Sequence, residues 1–307
     1  RMRGAATAKR LRMLTNSRQQ GFAKVAMLAP ALVIVFATTV YPMANAFWLS
    51  FQQWQLTKSK TPIGFVWFDN YIQAFGDRFF INSVVVTIEY TLLSVALTLV
   101  LGLGMAVSLQ KRSFLNTVIR TFLIFPFAVS PALKGYSFRF MLQPDYGVIQ
   151  LTLGSWFPFL KDMVWLSDPW WAMFWISISE VWGWAPLYAL MFIGAMGSIP
   201  TDIFDAAKVD GASNWKMFWG VTLPMIQPVI IIATLLKIIG SLRIFDQVVT
   251  MTGGGPGRAT QSINYYIYQT GFKFTNMGYS SALAYLFLVV LAVLSYMYIS
   301  RLYRQEN

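Results

Sequence analysis

Ile199-Pro-Thr-Asp-Ile-Phe-Asp-Ala-Ala-Lys-Val-Asp-Gly-Ala-Ser-Asn-Trp-Lys-Met-Phe-Trp-Gly-Val-Thr-Leu-Pro-Met-Ile-Gln-Pro228 is the longest polar-containing break in the second half of a very apolar chain. It reads as two short helices. Asp202 is a plausible N-cap, with Asp205 three residues on in a weak capping box. Asp210-Gly211 supplies a stop, because glycine takes the left-handed conformation at C′ without a Cβ clash. Ser213 can cap a second helix, and Trp215, Phe218, Trp219 and Thr222 fall on one face of it. Leu223-Pro224 is expected to end that helix, since proline disfavours helix at the residue before it.

On either side of this break the chain is built for lipid. Of its 307 residues 56% are hydrophobic and 12% charged, where a soluble domain carries about 25% charged residues. Six apolar stretches reach the roughly 20 residues that a bilayer demands: about 24–48, 82–109, 118–142, 170–196, 225–250 and 278–301. The fold class expected is an all-α integral membrane protein of six transmembrane helices. Residues 1–23 form a basic tail, 24–301 the transmembrane domain and 302–307 a short C-terminal tail. Pro30 and Pro42 should bend the first span, and Pro126 and Pro131 should break the third. The first span is too long, and lacks the small-residue cleavage pattern, for a signal peptide.

Lysine and arginine set the expected orientation. With both termini inside, the inner segments carry 14 Lys and Arg against six outside, among the 24 in the chain, which favours N-in, C-in. The loop over 199–224 then lies in the cytoplasm. The net charge of +12 concentrates in the N-terminal tail, where Arg1, Arg3, Lys9, Arg10, Arg12, Arg18 and Lys24 precede the first span. That placement points to topology and lipid contact rather than to nucleic acid. The chain has no Cys and no His, which excludes disulfides, Cys/His metal sites and Cys- or His-based catalysis.

Asp205-Ala206-Ala207, Asp210-Gly211-Ala212 and Val221-Thr222-Leu223-Pro224 together resemble the EAA loop of ABC-importer permeases. Two alanines let a short helix lie flush in a groove, and a glycine sets the angle to the next helix. The family usually has Glu first, whereas this chain has the shorter Asp205. The stretch from roughly 24 to 301 resembles the carbohydrate-type permease subunit, the class that includes maltose, glycerol-phosphate and alginate-oligosaccharide importers.

The resemblance implies a chain in the bacterial inner membrane that hydrolyses nothing itself. ATP and Mg would be held by a dimer of ATP-binding subunits docked on the loop. An external solute-binding protein and a second, similar permease subunit complete the set of partners. Consistently, the chain has no Gly-x4-Gly-Lys-Ser/Thr loop to cradle phosphates. Gly64–Tyr71 resembles the first external loop of sugar-type permeases. The glycine cluster Thr252–Gly257 reads equally as a loop facing the binding protein and as a tight turn.

Ionisable residues inside the spans are costly and usually face a cavity or each other. They are Glu89, Lys134, Arg139, Glu180, Lys237, Arg243 and Asp246. Glu180 and Lys237 lie about 15 and 20 Å below the outer ends of their spans at 1.5 Å per residue, within reach of each other. Arg243 and Asp246, three apart on one expected helix, can pair. Lys134 and Arg139 have no partner in their own helix and are assigned to a water-filled path. Tyr136, Trp182, Trp184 and Tyr188 cluster beside these charges and are candidates to stack on a sugar. A stand-alone ion-coupled carrier would instead show inverted repeats and paired broken helices; no repeat is evident. A membrane enzyme would need paired acids, and the intramembrane acids are dispersed.

Overall fold

The computed structural model describes residues 27–111 and 113–305. The basic tail over 1–23, the first residues of the first span, Arg112 and the last two residues of the C-terminal tail lie outside the described residues.

In chain order, α1 (Met27–Ser50) is a single helix that passes Pro30 and Pro42, with a π turn at Phe36–Val40. A two-stranded antiparallel hairpin follows, β1 (Gln52–Gln53) on β2 (Gly64–Phe65), and then α2 (Asp69–Gly76). The long helix α3 (Arg78–Leu109) begins at Asp77, whose carboxylate accepts the amides of Phe79 and Phe80, satisfying two of the donors that a helix start leaves free. The expected third span is two helices, α4 (Phe114–Ala128) and α5 (Pro131–Met141), which meet at 96°. Pro131 sits at the start of α5, where its missing N–H is harmless, and Ser130 caps it.

Beyond α5, α6 (Val148–Trp156) and two 3-10 turns form a small cap stapled by Gln150. This buried amide donates to the Leu160 and Lys161 carbonyls and accepts from the Trp165 indole. Next come α7 (Pro169–Gly197), α8 (Thr201–Val209), α9 (Asn214–Leu242), α10 (Ile263–Tyr268) and α11 (Met277–Gln305). Among the described residues five helices are long and apolar enough to cross a bilayer, or six if the bent pair α4–α5 is one span. The protein is a mostly helical membrane protein.

Its centre is the packing of α3 on α7. Gly102 allows that approach, because a Cβ there would meet the Tyr188 Cβ at 3.2 Å and the Ala185 carbonyl at 3.3 Å. The buried polar residues of α3 bond within their own helix: Thr87 and Thr91 donate to carbonyls four residues back, each at 2.7 Å. Thr87 also accepts the Ile263 amide and so anchors α10. Asp77 gathers three elements, since the hydroxyls of Tyr266 and Tyr279 donate to its second oxygen.

Three local expectations are corrected. Pro200, not Asp202, stands at the N-cap of α8, and no side chain caps it. The backbone at Pro200 is extended (φ −58°, ψ 137°), and the helix starts at Thr201, one residue before Asp202. Asp205 consequently turns forward to Lys208, at 2.8 Å, instead of back to an amide. Second, Leu223-Pro224 does not end the second loop helix, which continues into the following span as α9. A π turn at Phe218–Thr222, closed by the Leu223 amide on the Phe218 carbonyl, widens the helix where the Pro224 ring would strike the Gly220 carbonyl. Third, the expected span 225–250 stops at Leu242. Arg243 leaves helical geometry, and the chain then makes a π turn at Val248–Thr252 that closes at left-handed Gly253. Gln247 and Thr250 are buried in protein there, where the irregular backbone finds partners that lipid would not offer.

Candidate functional site

The helix pair α8 and the start of α9 stands out from the body of the protein. No residue of α8 is buried. Its C-terminus is a Schellman closure: the Ala212 amide donates to the Ala207 carbonyl at 2.9 Å and the Gly211 amide to the Lys208 carbonyl at 3.0 Å. This closure requires a left-handed residue, and Gly211 has φ +76°. Asp210 is the C-cap, and Ser213 caps the next helix through the Lys216 amide. Asp205, Ala206, Asp210 and Gly211 are exposed, and Ala207 and Ala212 are half-buried. A small, open, alanine-lined face is therefore offered to something outside this chain. Leu223 is half-buried and Pro224 exposed, both within α9.

A cavity of about 560 Å³ lies between this pair and the end of α3, lined by Gln110, Lys111, Thr201, Phe204, Asp205 and Asn214 among others. Sequence reading missed the contribution of Gln110 and Lys111, because nothing local ties the end of α3 to α8. Trp215 and Trp219 are exposed and pack edge to face at 5.6 Å, as aromatics at a membrane interface do.

Within the membrane-facing body, the intramembrane charges separate into groups. Lys237 Nζ sits 2.6 Å from Glu180 Oε1, with both side chains buried. Trp184 lies beside them, its ring centroid 5.8 Å from the same ammonium, packed on Phe127 at 5.0 Å and on Tyr188 at 6.4 Å. Tyr188 is buried and Trp182 exposed. Lys134 is 3% exposed and has no hydrogen-bond or ion-pair partner among the described residues. Its ammonium rests against Gly183, where a Cβ would displace it.

The structure does not place Arg243 and Asp246 in an ion pair. Both are exposed and, among the described residues, neither joins a salt bridge, because the helix that would have stacked them ends at Leu242. Arg139 is exposed and donates to the Thr250 carbonyl at 3.2 Å. Tyr136 is exposed on the same helix. Glu89 is exposed on α3, beside a groove of about 630 Å³ that also carries Asn82 and Trp170. A charge there needs protein or water opposite it rather than hydrocarbon.

At the other end, the glycine cluster is a built loop. Thr252 Oγ1 and Thr260 Oγ1 are 2.7 Å apart, Thr260 reaches the Gly255 carbonyl at 2.6 Å, and Gly253, Gly254 and Gly257 all have positive φ. The Arg258 guanidinium lies 3.4 Å from the Phe79 ring centroid, which fixes the loop against α3. The hairpin is held by Asn70, which donates to the Ser50 and Gln52 carbonyls.

The bundle of apolar helices thus projects a bare, alanine-faced helix pair. The model of the "binding-protein-dependent transport system inner membrane component" family matches residues 98–305. The chain is 34% identical over 260 residues to the sulfoquinovosyl glycerol transport system permease protein SmoG of Agrobacterium fabrum, covering 85% of this chain and 83% of that one. It is 33% identical over 271 residues to the trehalose/maltose transport system permease protein MalF of Thermococcus litoralis, covering 88% and 89%. Its fold matches a chain of a bacterial ABC transporter involved in the import of the acidic polysaccharide alginate. The TM-score is 0.78 at 21% identity, over 94% of this chain and 98% of that one. The protein belongs to the binding-protein-dependent transport system inner membrane component family. It is a multi-pass permease subunit of an ABC importer, not an enzyme, and it works with a binding protein and other subunits.

Proposed function

We propose that this permease imports a sugar or oligosaccharide across a bacterial inner membrane, with ATP and Mg bound on a separate dimer of ATPase subunits. Both termini and the α8–α9 elbow face the cytoplasm, and a second permease subunit completes the pathway. The observation that carries this reading is helix α8, none of whose residues is buried, closed by left-handed Gly211 and presenting exposed Ala206 beside half-buried Ala207. The sugar class is supported by the relatives named above.

ATPase closure against α8 would be passed directly into α9, the helix that carries Lys237 of the buried pair. The external solute-binding protein would meet the opposite end, where the hairpin and the fixed glycine loop lie. In this reading the charge pair at Glu180 and Lys237 holds helices together, and the residues lining the path are those left exposed or unpaired: Lys134, Tyr136, Arg139 and Trp182.

The test is affinity purification of the chain from its native host membrane. An ATP-binding subunit should co-purify, and the purified complex should hydrolyse ATP faster when its binding protein is loaded with an oligosaccharide. Isolation of the chain without any ATPase, while it still transports in proteoliposomes, would overturn the proposal.

A further inference from the structure

We infer that Arg139 forms an anion-recognising subsite for a sugar that carries an acidic group, a carboxylate or a sulfonate. The inference rests on the carbohydrate reading above. A cavity of about 260 Å³ lies where the end of α5 meets the cap after it and the π turn before the glycine loop. Arg139, Gln143 and Thr252 bring its polar atoms, and Val164, Leu166 and Met251 its apolar wall.

The guanidinium is supplied with only one acceptor, the Thr250 carbonyl, and no carboxylate lies within 4 Å of it among the described residues. A guanidinium has five donors in a planar fork that matches a carboxylate or sulfonate two bonds at a time. The side-chain amide of Gln143 likewise has no protein partner among the described residues, although the residue is half-buried. Thr252 Oγ1 is already engaged with Thr260 and the Val248 carbonyl, so it shapes the site rather than reading the ligand.

The position of Arg139 is fixed by close packing. A Cβ at Gly135, one turn earlier on α5, would collide with Thr250 Oγ1, so α5 is seated directly on the segment that carries the Thr250 carbonyl. The volume is below the about 300–1,000 Å³ of pockets for drug-sized ligands. That size suits one sugar unit, with its acidic group on the fork and its C–H face on the apolar wall.

The two buried intramembrane lysines do not duplicate this arrangement. Lys237 is neutralised by Glu180, and Lys134 is closed in against Gly183. Arg139 combines an open guanidinium fork with a cavity.

The experiment is isothermal titration of the intact importer complex in nanodiscs with methyl glucuronide, methyl glucoside and inorganic sulfate. The wild type is expected to bind the glucuronide at least about tenfold more tightly than the glucoside, the scale of a charge-assisted bidentate contact. Arg139→Gln should remove that preference and leave glucoside binding in place, and Arg139→Lys should retain only part of it. Equal binding of the two glycosides by wild type, no binding of either, or a preference that survives Arg139→Gln overturns the inference. Equal binding of the glycosides still leaves the carbohydrate reading standing. Sulfate bound as tightly as the glucuronide, with no glucoside binding, would overturn the sugar assignment and the carbohydrate reading together.

Discussion

Lys237 Nζ lies 2.6 Å from Glu180 Oε1, an ion pair that ties α9 to α7 with both side chains buried. A second lysine, Lys134, is buried nearby on α5 without a partner of its own. The Glu180 carboxylate balances Lys237, and its loss would leave two buried ammonium groups near each other with no counter-charge between them.

Glu180→Gln should consequently destabilise the protein more than Lys237→Met does. Removing one partner of a buried pair typically costs about 3–5 kcal/mol. Lys237→Met leaves one buried carboxylate unpaired, whereas Glu180→Gln leaves two buried like charges, Lys237 and Lys134, near each other. The double variant Glu180→Leu with Lys237→Met should regain stability relative to Glu180→Gln alone. Thermal unfolding of the detergent-solubilised variants, followed by tryptophan fluorescence, reads the order directly; equal losses would refute it.

Gly211→Val should leave the spans inserted but uncouple the loop. A Cβ at Gly211 would meet nothing within 4 Å, so the penalty lies in the backbone, on the order of 1–2 kcal/mol for a side chain at positive φ. Gly211→Asn, which tolerates that conformation better, should be milder. Ala207→Leu should act differently, by overfilling the face offered to the partner. The readouts are yield in the membrane, co-purification of the ATPase and solute-stimulated hydrolysis. Full coupling in both Gly211→Val and Ala207→Leu would remove the elbow from the mechanism.

Cysteine labelling tests the orientation, and the absence of native cysteine makes it clean. Ser213→Cys on the elbow should react with an impermeant maleimide only after cells are opened. Lys58→Cys on the hairpin loop should react in intact cells once the outer barrier is permeabilised. The reversed pattern would invert the topology.

Asp77 gives a pH prediction. Burial acts to raise its pKa, but the hydrogen bonds from Tyr266, Tyr279 and the amides of Phe79 and Phe80 outweigh it, so the carboxyl is held below the ordinary value of 3.8. A depressed folded-state pKa gives stability that is present above the unfolded value and lost as pH falls through the folded one. Asp77→Asn should therefore lower the melting temperature at pH 6 to 8, and the gap to wild type should close below about pH 4. A gap that persists unchanged at pH 3 would show that the carboxylate charge is not what joins α3, α10 and α11.

Much of this was legible in the chain because it depends on local chemistry. Gly211 declares itself through an Asp-Gly step after an alanine-bearing turn, and the left-handed closure is there. Glu180 and Lys237 are single charges at similar depths in apolar helices, and they meet. What escaped reading depends on structure that no local window contains. Pro224 looks like a stop until a π turn re-registers the helix before it. Arg243 and Asp246 look like a helical pair until the helix ends one residue earlier. The partners of Asp77 lie 189 and 202 residues away, and the cavity at Arg139 is shared by three segments distant in sequence.

The π turn at Phe218–Thr222 also has a mechanical meaning. Because it lets the helix run unbroken past Pro224, Asn214–Leu242 is one rod of 29 residues, about 43 Å long at 1.5 Å per residue. A rod pivoting near its middle converts a tilt of 10° into a displacement of about 4 Å at either end. A joint at Leu223-Pro224 would absorb such a motion as slack. A continuous helix would instead act as a lever arm: under the proposed coupling, a few ångströms of movement at the elbow would reappear, reversed in direction, at the far end next to Lys237.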